Sequence, residues 1–194
     1  DGVLEAGCQG SVRAEVRLHG ARAHTARAWM GDNAIHRAAV LLTRLSEWTP
    51  RRPSLDGCEY HEALQAVGIS GGVAGNVVPD EVTVTVAHRF APDRSVGEAE
   101  AWLAEWVSPS LSDGDTVTVI DRARAAPPGL TEPLLAGLIH THRLDVRAKL
   151  GWTDAAFFAQ RGIPAGNFGP GDPVVAHTAG EHVTRAGIEA VRSV

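Results

Sequence analysis

Between Val12 and Leu18 the chain alternates strictly: Val12, Ala14, Val16 and Leu18 are apolar, and the charged Arg13, Glu15 and Arg17 lie between them. A period of two is that of a strand buried on one face. Val82, Val84 and Val86, interleaved with Thr83, Thr85 and Ala87, predict the clearest strand in the chain. Between these strands the period lengthens. Asp32 or Asn33 can cap a helix on which Ile35, Ala38, Leu42 and Leu45 share one face, ended by the loop Pro50 to Pro53. Glu62 to Ser70 predicts a weaker strand, followed by a Gly-rich bend from Gly71 to Gly75. Ser95 and Glu98 form a capping box for a helix that turns Val96, Ala99, Leu103 and Trp106 inward, and Asp115 to Ile120 supplies a fourth strand. Two strand-helix-strand halves in this order predict a ferredoxin-like βαββαβ unit, an antiparallel sheet with both helices on one face. The other face carries threonines and charges, and meets either water or a partner.

The pattern changes after Ala125-Ala126-Pro127-Pro128-Gly129, a stiff linker with turn residues. A helix from Pro133, a strand over Arg147 to Leu150, a second helix, a strand over Ile163 to Phe168, a loop and a last helix follow. That order is α/β, with parallel-sheet character. The second of these helices is apolar and short, opened by the cappable pair Thr153-Asp154 and stopped by Gly162. Only about 65 residues remain there, too few to cover both faces of a parallel sheet. The expected division is therefore a connecting piece at 1–9, a complete domain over 10–124 and part of another over 125–194.

Composition narrows the function. A formal net charge of -5 argues against a nucleic-acid partner. No apolar run approaches the length of a membrane span, and no signal peptide is visible. Cys8 and Cys58 are the only cysteines and form no CxxC pair, which predicts reduced thiols in a cytoplasmic protein.

Candidate chemistry is sparse. His177 follows the predicted strand end and a Gly-Pro-Gly turn, the place where ligands gather in open α/β sheets. His24 lies in the loop Gly20-Ala-Arg-Ala-His24-Thr-Ala-Arg, able to donate or accept near neutral pH. Each is either functional or an exposed loop histidine. Arg89 ends the strongest strand on its polar face and either clamps a carboxylate through paired hydrogen bonds or is a solvated edge residue. Asn76 sits at a tight bend, where an amide often only satisfies the turn. Asp154, Asp172 and Glu181 are acids near His177, each read first as a cap or surface charge. His140 and His142 point to different sides of a helix and do not chelate; His19, His61 and His88 fall in or beside strands and are expected to face outward. Gly71, Gly72 and Gly75 are not a phosphate loop, because no GxxxxGK[ST] is present.

Five runs carry a resemblance: GCQGSV (7–12), GARAHTARAWMGDNAIH (20–36), GGVAGNVVPDEVTV (71–84), HRFAPDRS (88–95) and GWTDAAFFAQRGIPAGNFGPGDPVVAHTAGE (151–181). In this order they resemble the metal-dependent aminoacylase and carboxypeptidase family of zinc peptidases, and within it the succinyl-diaminopimelate desuccinylases. The resemblance implies a catalytic domain of α/β class with an inserted α+β lid that serves as a dimerisation domain. Residues 10–124 are then the lid, 1–9 the end of the linker from the catalytic domain, and 125–194 that domain's C-terminal part. It also implies roles: His177 as a ligand of one of two divalent metal ions, zinc or cobalt, and His24 reaching into a partner subunit's site to polarise the oxyanion. Asn76, Arg89 and Thr153 would hold the carboxylates of an acylated amino acid.

The implied reaction is amide hydrolysis, removing a succinyl group from N-succinyl-diaminopimelate in lysine and cell-wall precursor synthesis, by a homodimer. The family's other metal ligands and its general base fall before Asp1, so this chain is expected to be inactive alone and to hold no metal tightly. Cys8 stands where some desuccinylases carry a basic residue. The alternatives are an acetylornithine-type deacetylase, a metallo-carboxypeptidase, and a non-catalytic dimerisation or ligand-binding module.

Overall fold

The computed structural model describes residues 2–194. Along the chain run β1 (Leu4–Ala6), β2 (Gly10–His19), β3 (Ala23–His24), a 3-10 segment (Thr25–Met30), α1 (Ala34–Ser46), a small hairpin of β4 (Ser54–Leu55) and β5 (Cys58–Glu59), then β6 (Ala63–Gly71), β7 (Val77–Val78), β8 (Glu81–Phe90), α2 (Val96–Val107) and β9 (Thr116–Ala123). The remainder is α3 (Pro133–His142), β10 (Val146–Ala148), α4 (Ala155–Ala159), β11 (Gly166–Phe168) and α5 (Arg185–Arg192).

The predicted ferredoxin-like unit forms. Its sheet has the order β6-β8-β2-β9 with every neighbour antiparallel. Val12, Ala14, Val16, Leu18, Val82, Val84 and Val86 are all buried on the face covered by α1 and α2. Two caps start these helices. The Asn33 side chain accepts from the Ile35 and His36 amides at 2.9 and 3.3 Å, and Ser95 and Glu98 close the expected box. The inward stripe of α1 is turned from the predicted one: Ala34, Ala38, Leu41 and Leu45 are buried, while Ile35 stays exposed and Leu42 is half-buried. Small residues at 34 and 38 let the helix axis approach the sheet, and that approach, not period alone, selects the face.

The second part departs further from expectation. Residues 4–6, read from sequence as connector, form the middle strand of a three-stranded sheet, β10-β1-β11. Its character is mixed: β1 runs parallel to β10 and antiparallel to β11. Each strand has only three residues, so the predicted strands from Arg147 and Ile163 are trimmed to β10 and β11. Asp154 has helical backbone angles and makes no capping bond, contrary to the predicted cap. Gly162 does stop the turn, with φ +69 and its amide donating to Ala159 O while Ile163 N–H reaches Phe158 O. No helix among the described residues is long and apolar enough to cross a membrane.

Hydrogen bonds tie the two sheets together. Cys8 and Ala126 exchange both backbone hydrogen bonds at 3.0 Å, the Tyr60 hydroxyl donates to Ala6 O at 2.9 Å, and the Gln9 amide donates to His61 O at 2.9 Å. The crossing needs Gly7: its φ is +57, and a β-carbon there would stand 2.4 Å from Ala126 O.

Candidate functional site

The five sequence candidates fall into separate groups. His24 ends β3, whose pairing places it opposite Val77, and the next amide, Thr25 N–H, donates to Asn76 O at 3.0 Å. His24 and Asn76 are therefore neighbours, both exposed, at the end of the large sheet where β2 closes and β8 begins. Arg89 lies at the opposite end of β8, paired with Ser11 and Ala63. It is exposed on the face away from the helices, as its place in the alternation predicts. Eight residues of antiparallel strand separate it from Glu81, about 27 Å. Thr153 belongs to Arg89's end of the molecule: its carbonyl lies 3.8 Å from the Cys8 thiol, two residues before β2. The Thr153 hydroxyl oxygen is buried and has no hydrogen-bond partner among the described residues.

His177 sits apart in the loop after β11. Its backbone is left-handed (φ +63) and its amide donates to Glu181 Oε2 at 2.9 Å, so Glu181 pins the loop there. Beside it opens a cleft of about 690 Å³ lined by Glu5, Arg147, Lys149, Asn167, Glu181 and His182, among others. Glu5, Arg147 and Asn167 face one another across the small sheet in register, and Glu5 pairs with Arg147 at 3.2 Å and with Lys149. Sequence reading missed this polar ladder because a three-residue strand is too short to show a period.

A second missed cluster lies beneath the Arg89 end of β8. His88 was expected to face outward, but it is fully buried. It lies on the valine side of the alternation, and its ring packs 4.5 Å from that of Trp102. Its Nε2 stands 3.9 Å from Glu62 Oε2, also fully buried and beyond hydrogen-bond reach. The other Glu62 oxygen accepts the Ala91 amide at 3.1 Å and Arg51 at 3.1 Å, with Arg94 at 3.7 Å. Burial pushes the Glu62 carboxyl up, but the His88 ring, the Ala91 N–H and the Arg51 charge outweigh it and hold it below the usual glutamate range. The signal was present in the sequence: His88 follows Val82, Val84 and Val86 in steps of two.

Among the described residues no group of three or more His, Cys, Asp or Glu side chains is placed to hold a metal ion. The residues present do not fit a metal centre by themselves, since a zinc ion is normally held by three or four protein ligands.

The arrangement of sheets matches a known architecture. The peptidase dimerisation domain of the M20 family matches residues 7–115, and the chain belongs to the M20 peptidase family. It is 48% identical over 191 residues to a Mycobacterium tuberculosis protein named as a succinyl-diaminopimelate desuccinylase, DapE, covering 97% of this chain and 52% of that one. It is 43% identical to the succinyl-diaminopimelate desuccinylase of Corynebacterium glutamicum, covering 91% and 48%. Among solved structures, the aminopeptidase PepT of Bacillus cereus superposes with a TM-score of 0.68 at 17% identity, over 99% of this chain and 51% of the other. The dipeptidase Dug1p of Saccharomyces cerevisiae gives 0.71 at 12% identity, over 97% and 53%. The last two show the fold alone. The chain spans about half the length of the curated relatives it matches.

Proposed function

We propose that this chain supplies the dimerisation domain (residues 10–124) and the C-terminal part of the catalytic domain (125–194) of a metal-dependent amide hydrolase that acts as a homodimer. The substrate class we assign is N-succinyl-diaminopimelate, on the strength of 48% and 43% identity to proteins carrying that activity in their names. One observation supports the two-subunit reading above others: His24 and Asn76 lie at the opposite end of the large sheet from Arg89 and Thr153. Residues so far apart on one subunit serve a single small substrate only if two subunits meet over it.

The edge strand β6 supports the same reading. Its sequence ALQAVGISG carries no charge, and Val67 and Ile69 are 58% and 54% exposed. Beside it α1 exposes Ile35 and Val40. The other edge, β9, is guarded by Asp121 and Arg122. An uncharged, exposed edge is a template for strand pairing, and a two-fold axis along it would extend the sheet into a second copy.

In this reading the His24 ring donates to the oxygen of the scissile amide in the partner's site. The Asn76 amide and Thr153 hydroxyl hydrogen-bond to the substrate, and Arg89 pairs with a carboxylate. His177 adds one imidazole to a metal centre whose remaining ligands these residues do not supply. The two buried free thiols, Cys8 and Cys58, fit a cytoplasmic setting.

The test is subunit mixing in the longer protein this reading implies. His24→Ala and His177→Ala are each made, shown to be inactive on the succinyl substrate, then mixed and allowed to exchange subunits. A hybrid dimer has one site with both histidines intact if His24 crosses to the partner, so activity returns on mixing. If His24 serves its own subunit, both hybrid sites stay broken and the mixture remains inactive, which overturns the proposal. Parallel assays on acetyl and peptide substrates separate a desuccinylase from a deacetylase or carboxypeptidase.

A further inference from the structure

His24 is held by more than its place in the chain. Its backbone is pinned by the β3–β7 pairing and by the Thr25 N–H bond to Asn76 O. Its ring then turns back on the 3-10 segment it introduces: Nδ1 accepts the Ala26 backbone N–H at 3.0 Å. Neutral imidazole has one nitrogen that accepts and one that carries the proton. A nitrogen receiving an amide N–H must present its lone pair, so the proton sits on Nε2. That atom has no partner among the described residues, and the side chain is exposed.

We propose that the Ala26 backbone amide is a positioning group that holds neutral His24 as its Nε2–H tautomer, so that this residue acts as a hydrogen-bond donor to its target and not as a proton acceptor. The tautomer follows from the geometry of this chain alone; the identity of the target rests on the function proposed above. With Nδ1 occupied and the main chain fixed on both sides, the ring keeps one donor aimed outward. It offers an incoming carbonyl or oxyanion a proton already on the correct nitrogen. A water or carboxylic acid that needed a base would find no lone pair on Nε2.

The experiment is a long-range ¹H–¹⁵N correlation spectrum of the ¹⁵N-histidine-labelled 194-residue chain, at a pH where the rings are neutral, with His24 assigned from its absence in His24→Gln. The exposed His61, whose ring has no hydrogen bond among the described contacts, is the internal reference. The His24 ratio of Nε2–H to Nδ1–H should exceed that of His61 by about three- to tenfold, the equilibrium worth of one net hydrogen bond. A ratio equal to that of His61, or an excess of Nδ1–H, overturns the proposal. Ala26→Pro deletes the donor at a position near the start of the 3-10 segment that tolerates proline, and should return the ratio to the reference. An unchanged ratio in a folded Ala26→Pro chain removes Ala26 from the account, and if that variant does not fold, the wild-type spectrum decides. In the longer protein, His24→Gln, which keeps an N–H, should retain more turnover than His24→Glu, which only accepts; the reverse order defeats the donor role. A correct tautomer with failed subunit mixing would leave this inference standing and remove the proposed function instead.

Discussion

Replacing Glu62 by alanine tests whether the buried cluster under β8 holds the Arg89 end of the sheet together. The change removes the acceptor of the Ala91 amide and the counter-charge of Arg51 and Arg94, and leaves His88 facing an empty carboxylate site. Removing one partner of a buried ion pair costs about 3–5 kcal/mol. Arg51 is 42% exposed and regains water, so its share is discounted, whereas Arg94 is only 15% exposed. The net expectation is a loss of about 3 kcal/mol for Glu62→Ala, and of about 1–2 kcal/mol for Glu62→Gln, whose amide oxygen still accepts from Ala91.

Urea unfolding followed by tryptophan fluorescence measures the loss, because Trp48, Trp102 and Trp106 pack together in this unit. The pH dependence has a definite sign. The Glu62 carboxyl is held below its ordinary value in the folded state. Its stabilisation is therefore complete above the unfolded value of about 4.3 and is lost as pH falls through the lower folded value. Glu62→Gln should accordingly approach the wild type in stability as the solution is acidified below that point. A Glu62→Ala loss under about 0.5 kcal/mol, the range of ordinary surface changes, would refute the reasoning.

Two other predictions concern the same unit. Gly10→Ala places a β-carbon 2.1 Å from the ring of the fully buried Phe90 and should destabilise by about 1–3 kcal/mol, with Phe90→Leu restoring part of the loss in the double variant; additive losses would show the clash is not with that ring. Ser95→Ala opens the capping box of α2 and should lower stability by about 1 kcal/mol in the same urea assay, whereas Gly97→Ala, at an exposed position of the same helix that leaves the box intact, should not lower it.

The two strands with strict alternation, β2 and β8, were legible without coordinates, because burial on one face of a sheet writes a period of two directly into residue choice. So were the cap at Ser95, a cap at Asp32 or Asn33, and the order of the βαββαβ unit, since each is decided within a few residues. The five site candidates could be named from loop positions and family resemblance, but not assembled. That His24 stands with Asn76, and Arg89 with Thr153, depends on which ends of β2 and β8 meet, and pairing register is a property of two distant segments. The burial of His88 against Glu62 was missed for a related reason: its alternation was visible, but the carboxylate beside the buried histidine comes from the segment just before β6. β1 escaped notice altogether, since three residues carry no period and become a strand only because β10 and β11, more than 130 residues further along, supply its hydrogen-bond partners. Local patterns determine where the long strands and capped helices lie; only the closed fold determines which segments pair and what each finds beside it, because the energy of a contact belongs to both residues and the sequence states one at a time.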